Sequence, residues 1–164
     1  MKIRQLKVSE WRIYRDLRLC ALAESPDAFG STLAAEQTRA DAAWQERLGA
    51  GVLSDLDLPL VAEIDQRPVG LVWAKISPAD RSLAHIYQMW VAPDFRGQGV
   101  GRALLGRAIE WAGECGAQAV HLGVTVSDTP AMKLYLAQGF ICSGPVEALR
   151  EGSLLQVQPM VLWL

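Results

Sequence analysis

Three glycines at alternate positions stand where an apolar, strand-like run passes into a helix-like run. The stretch R-G-Q-G-V-G, Arg96 to Gly101, lies between the apolar run Ile86 to Val91 and the helical run Arg102 to Cys115. Each glycine costs about 1 kcal/mol when it is ordered inside a regular element, so this backbone must meet a special requirement. The first turn of a helix has unpaired N–H groups and a partial positive charge, and glycines let a phosphate approach them. The junction therefore predicts an anion-binding loop, to which Arg96 and Arg102 add charge-assisted hydrogen bonds.

Comparison with the known glycine-rich phosphate-binding patterns excludes two of three kinds of site. The P-loop pattern needs a lysine after its last glycine, and no lysine follows here. The dinucleotide pattern G-x-G-x-x-G fails in both registers, because its third position is Arg102 in one and Leu104 in the other. The pattern R-x-x-G-x-G is matched by Arg96, Gly99 and Gly101. The structural alternative is a glycine-rich turn that only starts a helix.

Composition limits the class of protein. The 164 residues suit a single domain spanning 1–164, and the 51% apolar and 21% charged shares are those of a globular chain. A net charge of −2 without a clustered basic face argues against nucleic-acid binding. Cys20, Cys115 and Cys142 are isolated, so we expect neither a disulfide nor a metal site but buried, reduced thiols. Because the sequence has no signal-type run and no long apolar segment, we expect no membrane contact and a cytoplasmic location.

Periodicity and turn-forming residues predict a strand, two helices, three antiparallel strands and then a βα-βα-ββ order. Ser9 is expected to cap the first helix, and Gly49 and Gly51 are expected to end the second. The segment Asp65 to Pro68 predicts a hairpin turn. The predicted strands are 2–8, 60–64, 69–76, 84–92, 119–126, 140–142 and 154–162, and the predicted helices are 10–23, 35–48, 100–115 and 129–138.

Two longer stretches resemble one protein family. Q-M-W-V-A-P-D-F-R-G-Q-G-V-G-R-A-L-L, Gln88 to Leu105, resembles the acetyl-CoA-binding motif of the GCN5-related N-acetyltransferases, the GNAT family. D-T-P-A-M-K-L-Y-L-A-Q-G-F, Asp128 to Phe140, is similar to that family's N-x-x-A-x-x-L-Y-x-x-x-G-F. The two motifs follow one another in the family's order and at the family's spacing, and the predicted order of elements also fits the family fold.

The resemblance implies a fold and a donor substrate. The fold would be a single α/β (α+β) domain with a mixed, mostly antiparallel sheet of about six or seven strands, splayed between strands 4 and 5 and flanked by about four helices. Acetyl-CoA, the acyl donor, would lie in that gap with its pyrophosphate on the loop amides, and an amide near Trp90 or Val91 would stabilise the oxyanion. The cofactor-binding residues so implied are Met89, Trp90, Val91, Arg96, Gly97, Gln98, Gly99, Val100, Gly101, Arg102, Asp128 and Tyr135.

Two residues of the second motif carry expectations of their own. Tyr135 stands where the family places a phenol near the cofactor sulfur, which implies a catalytic general acid for the departing thiolate. Packing in the core is the alternative role for Tyr135. Asp128 stands where the family usually has Asn, and an ionised Asp can only accept hydrogen bonds. Asp128 therefore either meets an N–H of the cofactor or serves as the N-cap of the following helix.

The implied reaction is transfer of the acetyl group to a primary amine of a small molecule or a peptide. We expect direct attack in a ternary complex, without a metal. A non-catalytic acyl-CoA sensor of the same fold is the first alternative, and an unrelated nucleotide-phosphate enzyme is the second. A homodimer paired through an exposed edge of the last strand is left open.

The acceptor side is less defined in the sequence. His85, Tyr87, Glu63 or an ordered water could accept the proton of the amine. Acceptor selectivity is expected from the N-terminal helices, the loop Ser25 to Ser31 and the segment Val146 to Ser153. The slightly negative net charge is a weak indication of a cationic amine. Candidate wall residues, each also a candidate core residue, are Trp11, Phe29, Trp44 and Trp73.

Overall fold

A single mixed β-sheet runs through the molecule in the computed structural model, which describes residues 1–164. The strand order is β1-β2-β3-β4-β5-β8-β6, and β7 also pairs with β8. The strands are β1 Lys2–Gln5, β2 Asp57–Ile64, β3 Arg67–Ile76, β4 Leu83–Val91, β5 Ala119–Thr125, β6 Ile141–Cys142, β7 Glu147–Ala148 and β8 Gln156–Trp163. The helices are α1 Trp11–Glu24, α2 Leu33–Glu36, α3 Asp41–Leu53, α4 Val100–Glu114 and α5 Thr129–Ala137.

The sheet separates two apolar cores. Helix α4 and Tyr135 of α5 pack on one face of the sheet, with Leu104 and Leu105 fully buried there. Helices α1 and α3 pack on the other face, where Tyr14 and Trp44 meet edge to face at 5.7 Å. The predicted mixed sheet with helices on its faces is therefore confirmed. The sheet has eight strands because the short strands β6 and β7 both pair with β8.

All strand pairs are antiparallel except β4 with β5. This parallel pair is short, running from Leu83 opposite Ala119 to His85 opposite His121. Beyond His85 the two strands have no shared ladder, so the edge of β4 that faces β5 is left without strand partners. The predicted splay between the fourth and fifth strands is confirmed.

The hairpin predicted at Asp65 to Pro68 joins β2 to β3. Asp65 and Gln66 have φ values of 50° and 65°, the two positive values that a tight hairpin turn between twisted strands requires.

The N-terminal helices differ from the prediction in three respects. A 3-10 turn, Val8–Glu10, precedes α1, so Ser9 does not cap the helix. The predicted helix 35–48 is two helices, α2 and α3, separated by a break. Helix α3 continues through Gly49 and Gly51 and ends at Leu53. Gly51 serves packing instead: a Cβ there would lie 2.2 Å from the ring of Trp73 on the sheet.

Two further expectations are wrong. The last strand, β8, is not an edge, because β5 lies on one side of it and β6 and β7 lie on the other. The homodimer therefore stays a prediction without the edge that suggested it. Cys20, Cys115 and Cys142 are free thiols, but all are exposed, since each lies on an outer helix face, a helix end or a short edge strand. None of the helices is both long and apolar enough to cross a membrane.

Candidate active site

The glycine-rich loop presents a row of backbone amides without protein acceptors. A short 3-10 turn, Pro93–Phe95, ends β4, and α4 begins at Val100. The amides of residues 97 to 102 donate to no backbone carbonyl and no side chain, while the next amide, that of Ala103, donates to the Gly99 carbonyl. The row coincides with the positive end of the α4 dipole, where an anion is stabilised.

Two of the glycines have backbone conformations that favour glycine. Gly97 has φ 75°, and Gly99, the N-cap of α4, has φ 83°. Side chains other than glycine adopt this left-handed region at a cost of about 1–2 kcal/mol. Gly101 is needed for a different reason, because a Cβ there would lie 3.3 Å from both Leu134 of α5 and Met89 of β4. The predicted loop thus has both the free amides and the backbone curvature that its sequence indicated.

Strand β4 carries a bulge immediately before the loop. Trp73 of β3 pairs with Tyr87 and Leu71 pairs with Trp90, so Gln88 and Met89 together oppose Val72. Gln88 has φ 56°, which is unusual for a residue other than glycine, and its side chain accepts a 2.8 Å hydrogen bond from the Tyr14 hydroxyl. Bulges of this kind redirect a strand, and they are common beside functional sites. The bulge lies between the end of the β4–β5 ladder at His85 and the start of the loop.

A cavity of about 420 Å³, here called the loop cavity, lies between the loop, the end of β4 and helix α5. Of the predicted cofactor-binding residues, Gln98 alone does not line it; the side-chain Nε2 of Gln98 donates at 3.4 Å to the Asp94 carbonyl. The predicted residues that line the loop cavity are Met89, Trp90, Val91, Arg96, Gly97, Gly99, Val100, Gly101, Arg102, Asp128 and Tyr135. The sequence motifs, which are far apart along the chain, therefore meet around one space.

The sequence profile of the acetyltransferase (GNAT) family matches residues 12–140, which is most of this chain. The chain belongs to the GNAT acetyltransferase family. The resemblance of the two motifs to that family is confirmed, as is its mixed sheet.

Individual relatives agree with this assignment. An uncharacterized N-acetyltransferase of Methanocaldococcus jannaschii is 38% identical over 91 residues, which cover 52% of this chain and 40% of the relative. Mycothiol acetyltransferase of Pseudarthrobacter chlorophenolicus is 32% identical over 97 residues, covering 54% of this chain and 30% of the relative. The chain thus spans well under two thirds of the length of these relatives.

A solved structure shares the whole fold. The Salmonella typhimurium protein yncA, solved with its cofactor acetyl-CoA, superposes with a TM-score of 0.82 over 99% of this chain and 93% of that chain. Its sequence identity is 20%, so the superposition shows a common GNAT fold and no more.

Arg96 lies beside the loop of this GNAT domain, but its guanidinium is bonded within the protein. It donates to the Glu24 carboxylate at 2.7 and 3.2 Å, and its Nε donates to the Val91 carbonyl at 2.9 Å. The indole N–H of Trp90 donates to the same carboxylate at 2.9 Å. The hydrogen bonds from Arg96, Ser25 and Trp90 outweigh partial burial and lower the pKa of Glu24 to about 2. Glu24 thus connects the end of α1 to the end of β4, a role that its sequence context did not indicate.

Tyr135 contributes to two cavities at once. Its ring is buried against Phe140, with centroids 5.9 Å apart in an edge-to-face arrangement, so the predicted packing role is present. It lines both the loop cavity and a second cavity of about 970 Å³, here called the wide cavity. Burial, and to a smaller extent the carboxylate of Asp128, raise the pKa of Tyr135, so the phenol is protonated at neutral pH. Packing and proton donation are compatible, because the hydroxyl makes no hydrogen bond to another protein group.

Asp128 is the N-cap of α5. Its carboxylate accepts a hydrogen bond from the Ala131 amide at 3.2 Å. The capping role that the sequence suggested is therefore present, and Asp128 also lines the loop cavity. Its contact with a bound cofactor stays a prediction.

The wide cavity is built from the segments predicted to control selectivity. Phe29 and Ser31 of the Ser25–Ser31 loop, Leu149 of the Val146–Ser153 segment, and Arg18 and Arg47 of the N-terminal helices all line it. Among the candidate wall residues, Phe29 and Trp73 line the cavity, whereas Trp11 and Trp44 are buried in the core between the helices and the sheet. Ala28, Phe29, Met89 and Tyr135 border both cavities.

The structure places two of the three candidate side-chain bases in the wide cavity and the third elsewhere. His85 and Tyr87 both line the wide cavity, and their rings stack at 5.9 Å. Glu63 does not face the cleft, which corrects the prediction: it lies at the far end of β2 and accepts a hydrogen bond from Arg4 at 2.6 Å. In the strand register Glu63 lies opposite Lys2 of β1, and it does not line the wide cavity.

His121 of β5 was not singled out in the sequence. It lies opposite His85 in the short parallel ladder, and the two imidazoles stack at 5.7 Å. Burial, and to a smaller extent His121, hold the pKa of His85 below its ordinary value. His85 is therefore neutral at neutral pH and is able to accept a proton. Only pairing of two strands distant in sequence brings these residues together, so periodicity could not have found the pair.

Proposed function

We propose that this chain transfers the acetyl group of acetyl-CoA to a primary amine by direct attack in a ternary complex. The observation that carries the proposal is the row of acceptor-free amides at residues 97 to 102. This row borders the loop cavity, which shares Tyr135 as a wall residue with the wide cavity. Two adjoining cavities suit two substrates bound at the same time. The family to which the chain belongs supports the same reaction class.

The loop fits the diphosphate of acetyl-CoA on chemical grounds. Free amides at a helix N-terminus bind phosphate oxygens without side-chain reorganisation. Arg102 lies in the same row and lines the loop cavity, so its guanidinium adds a charge-assisted hydrogen bond. Arg96 is held by Glu24, and we assign it to holding the end of β4 in place. The unpaired edge of β4 beyond His85 is available to the amides of a pantetheine arm.

The chemical step needs one proton donor and one proton acceptor. The amine nitrogen forms a bond to the acetyl carbonyl carbon and the carbon–sulfur bond breaks. The phenol of Tyr135, protonated at neutral pH and located where the cavities meet, gives its proton to the departing sulfur. His85, neutral and facing the wide cavity, takes the proton of the amine, directly or through water.

Direct attack is preferred to a covalent route because no thiol lines either cavity. Cys20, Cys115 and Cys142 are all exposed elsewhere on the molecule. Free thiols also suit a reducing compartment, and we propose a cytosolic location for the activity.

The first experiment measures CoA release with a thiol reagent while a library of primary amines is offered. Release of CoA that is faster than the background hydrolysis of acetyl-CoA, together with binding of CoA in calorimetry, supports the proposal. Binding without release with any amine would favour the sensor alternative. No binding of CoA or acetyl-CoA by the folded protein would overturn both.

Replacing Tyr135 with phenylalanine tests the proton donor. The variant keeps the ring contact with Phe140 and loses the phenolic hydroxyl, so kcat should fall about 100-fold while the affinity for CoA is retained. Tyr87→Phe removes a phenol from the wide cavity but not from the wall that the two cavities share, so it is the comparison variant: a loss of CoA affinity or of folding common to both variants would not be specific to the proton donor. An unchanged kcat in Tyr135→Phe would leave the residue with its packing role alone.

A further inference from the structure

A buried arginine without a partner lies at the wall of the wide cavity. Arg18 of α1 is 4% exposed, and its guanidinium lies over the Phe29 ring, 4.7 Å from the centroid. Its Nε and Nη1 atoms are inaccessible to solvent and make no hydrogen bond. Buried side-chain nitrogens are nearly always paired, so an unpaired guanidinium in a cavity wall indicates a missing acceptor.

The neighbouring acidic groups are already paired. Glu36, also buried, accepts hydrogen bonds from Arg39 at 2.9 Å and from Arg47 at 3.1 Å. Asp57 accepts from the Trp73 indole at 2.9 Å and lies 3.9 Å from the Lys75 ammonium. Neither carboxylate makes a hydrogen bond to Arg18. Glu147, which lines the wide cavity together with Asp57, is exposed.

The guanidinium remains charged despite its surroundings. Burial lowers the pKa of Arg18, but an arginine side chain does not lose its proton in proteins. A buried cation without a hydrogen-bond partner opposes folding, so its position in a cavity wall is explained most simply by a ligand that neutralises it. Arg18 does not line the loop cavity, where the free amides lie, so the donor phosphates are not that ligand.

We infer that the acetyl acceptor is a small molecule that bears a carboxylate as well as its primary amine, and that Arg18 binds the carboxylate. The inference rests on the proposed function and names the acceptor class for it. A carboxylate matches the single charge and the planar geometry of one guanidinium. Phe29, which lies under the guanidinium and also borders the loop cavity, places this anchor next to the wall shared by the two substrates. The acceptor class differs from the cationic amine that the net charge weakly indicated.

The inference is tested with sets of acceptors that differ only in the carboxyl group. L-amino acids and ω-amino acids are each compared with their own carboxamides and with the amines that lack the carboxyl group, and phosphoethanolamine provides a phosphate in place of the carboxylate. We expect release of CoA with members of the carboxylate set and a loss of about 100-fold in kcat/KM for the corresponding amides. Equal rates for acids and amides, or a preference for phosphoethanolamine, would overturn the inference while leaving the acetyltransferase intact.

The variant Arg18→Met tests the residue itself. The unbranched methionine retains the contact with Phe29 and removes the charge. We expect a rise in KM that lowers kcat/KM for the best aminocarboxylate about 100-fold, with unchanged CoA affinity by calorimetry. Arg12→Met, an exposed position of α1 whose guanidinium lies over Trp11, is the matched control and should leave both values unchanged.

A stability measurement separates binding from structure. Without ligand, Arg18→Met should melt at a higher temperature than the native chain, because an unpaired buried cation is removed. The aminocarboxylate should raise the melting temperature of the native chain and not that of Arg18→Met. A lower melting temperature for ligand-free Arg18→Met would show that the guanidinium is structural and would overturn the inference. If no amine supports CoA release at all, the proposed function fails instead.

Discussion

Replacing Gly99 with alanine is expected to weaken the loop without creating a steric clash. Gly99 is the N-cap of α4 and has φ 83°, and a Cβ added there would meet nothing within 4 Å. The perturbation therefore acts on backbone conformation alone. That property makes it a direct test of the amide row, because the strain falls on the peptide groups that are proposed to hold the diphosphate.

The magnitude follows from two opposing effects. A left-handed conformation costs a residue with a Cβ about 1–2 kcal/mol. Alanine also reduces the entropy of the unfolded chain, which offsets about 0.4–1 kcal/mol. The net loss is about 1 kcal/mol, which corresponds to about 2–4 °C in melting temperature for a chain of this size. If the loop relaxes in the free protein, the same free energy is lost on binding, as a decrease of about fivefold in CoA affinity.

Gly106→Ala is the matched control for this prediction. Gly106 lies within the same helix, its φ is not positive, and a Cβ there also meets nothing within 4 Å. Alanine is favoured over glycine in a helix interior by about 1 kcal/mol, so this variant should be more stable and should bind CoA normally. Thermal or urea unfolding and calorimetry with CoA measure both quantities. A Gly99→Ala protein with native stability and native CoA affinity would refute the account of the loop.

Three further predictions concern the Glu24–Arg96 ion pair, the proposed base His85 and the packing of Gly51 against Trp73. Glu24→Gln should weaken the hold on Arg96 and lower stability at neutral pH by about 1 kcal/mol, since the pair is partly exposed. The pKa of Glu24 is lowered from 4.5 to about 2, so its ionised carboxylate stabilises the folded chain fully above pH 4.5, and this stabilisation is lost as the pH falls towards 2. The free energies of unfolding of variant and native chain should therefore become equal near pH 2. His85→Gln should remove the fall in kcat/KM at acidic pH. That fall is expected below pH 6.5, because burial lowers the pKa of His85. If kcat/KM of the variant still falls at acidic pH, another group is the base. Gly51→Ala should cost about 1–3 kcal/mol in urea unfolding, since its Cβ would lie 2.2 Å from the rigid Trp73 ring, and native stability would contradict that packing.

Local sequence was sufficient where backbone conformation and neighbouring residues decide the structure. The loop at Gly97 to Gly101 and helices α4 and α5 lie close to their predicted bounds. Their signals are short-range, because a glycine at a positive φ, an N-cap such as Asp128 and a periodic apolar face all act within a few residues. The hairpin at Asp65 and Gln66 belongs to the same class. The two motifs that the family resemblance related to one another line a single cavity in the structure.

Packing overruled some local signals. Glycines near the end of a predicted helix usually mark its end, yet Gly51 lies inside α3, where the ring of Trp73 occupies the place of a Cβ. Exposed thiols were predicted to be buried because cysteine is commonly an interior residue, and no local pattern reports which face of a helix or strand is covered.

The sequence by itself determined the glycine-rich loop and the helices on either side of the cleft, since these depend on backbone preferences that neighbouring residues express. Only the tertiary structure decided which polar side chains meet and which charged group is left without a hydrogen-bond partner. Glu24 reaches Arg96 across 72 positions, His85 meets His121 through strand pairing, and Arg18 is left buried without an acceptor. Such pairings depend on which faces of the helices and strands pack together and on whether water still reaches the side chain. The type of a side chain alone specifies neither.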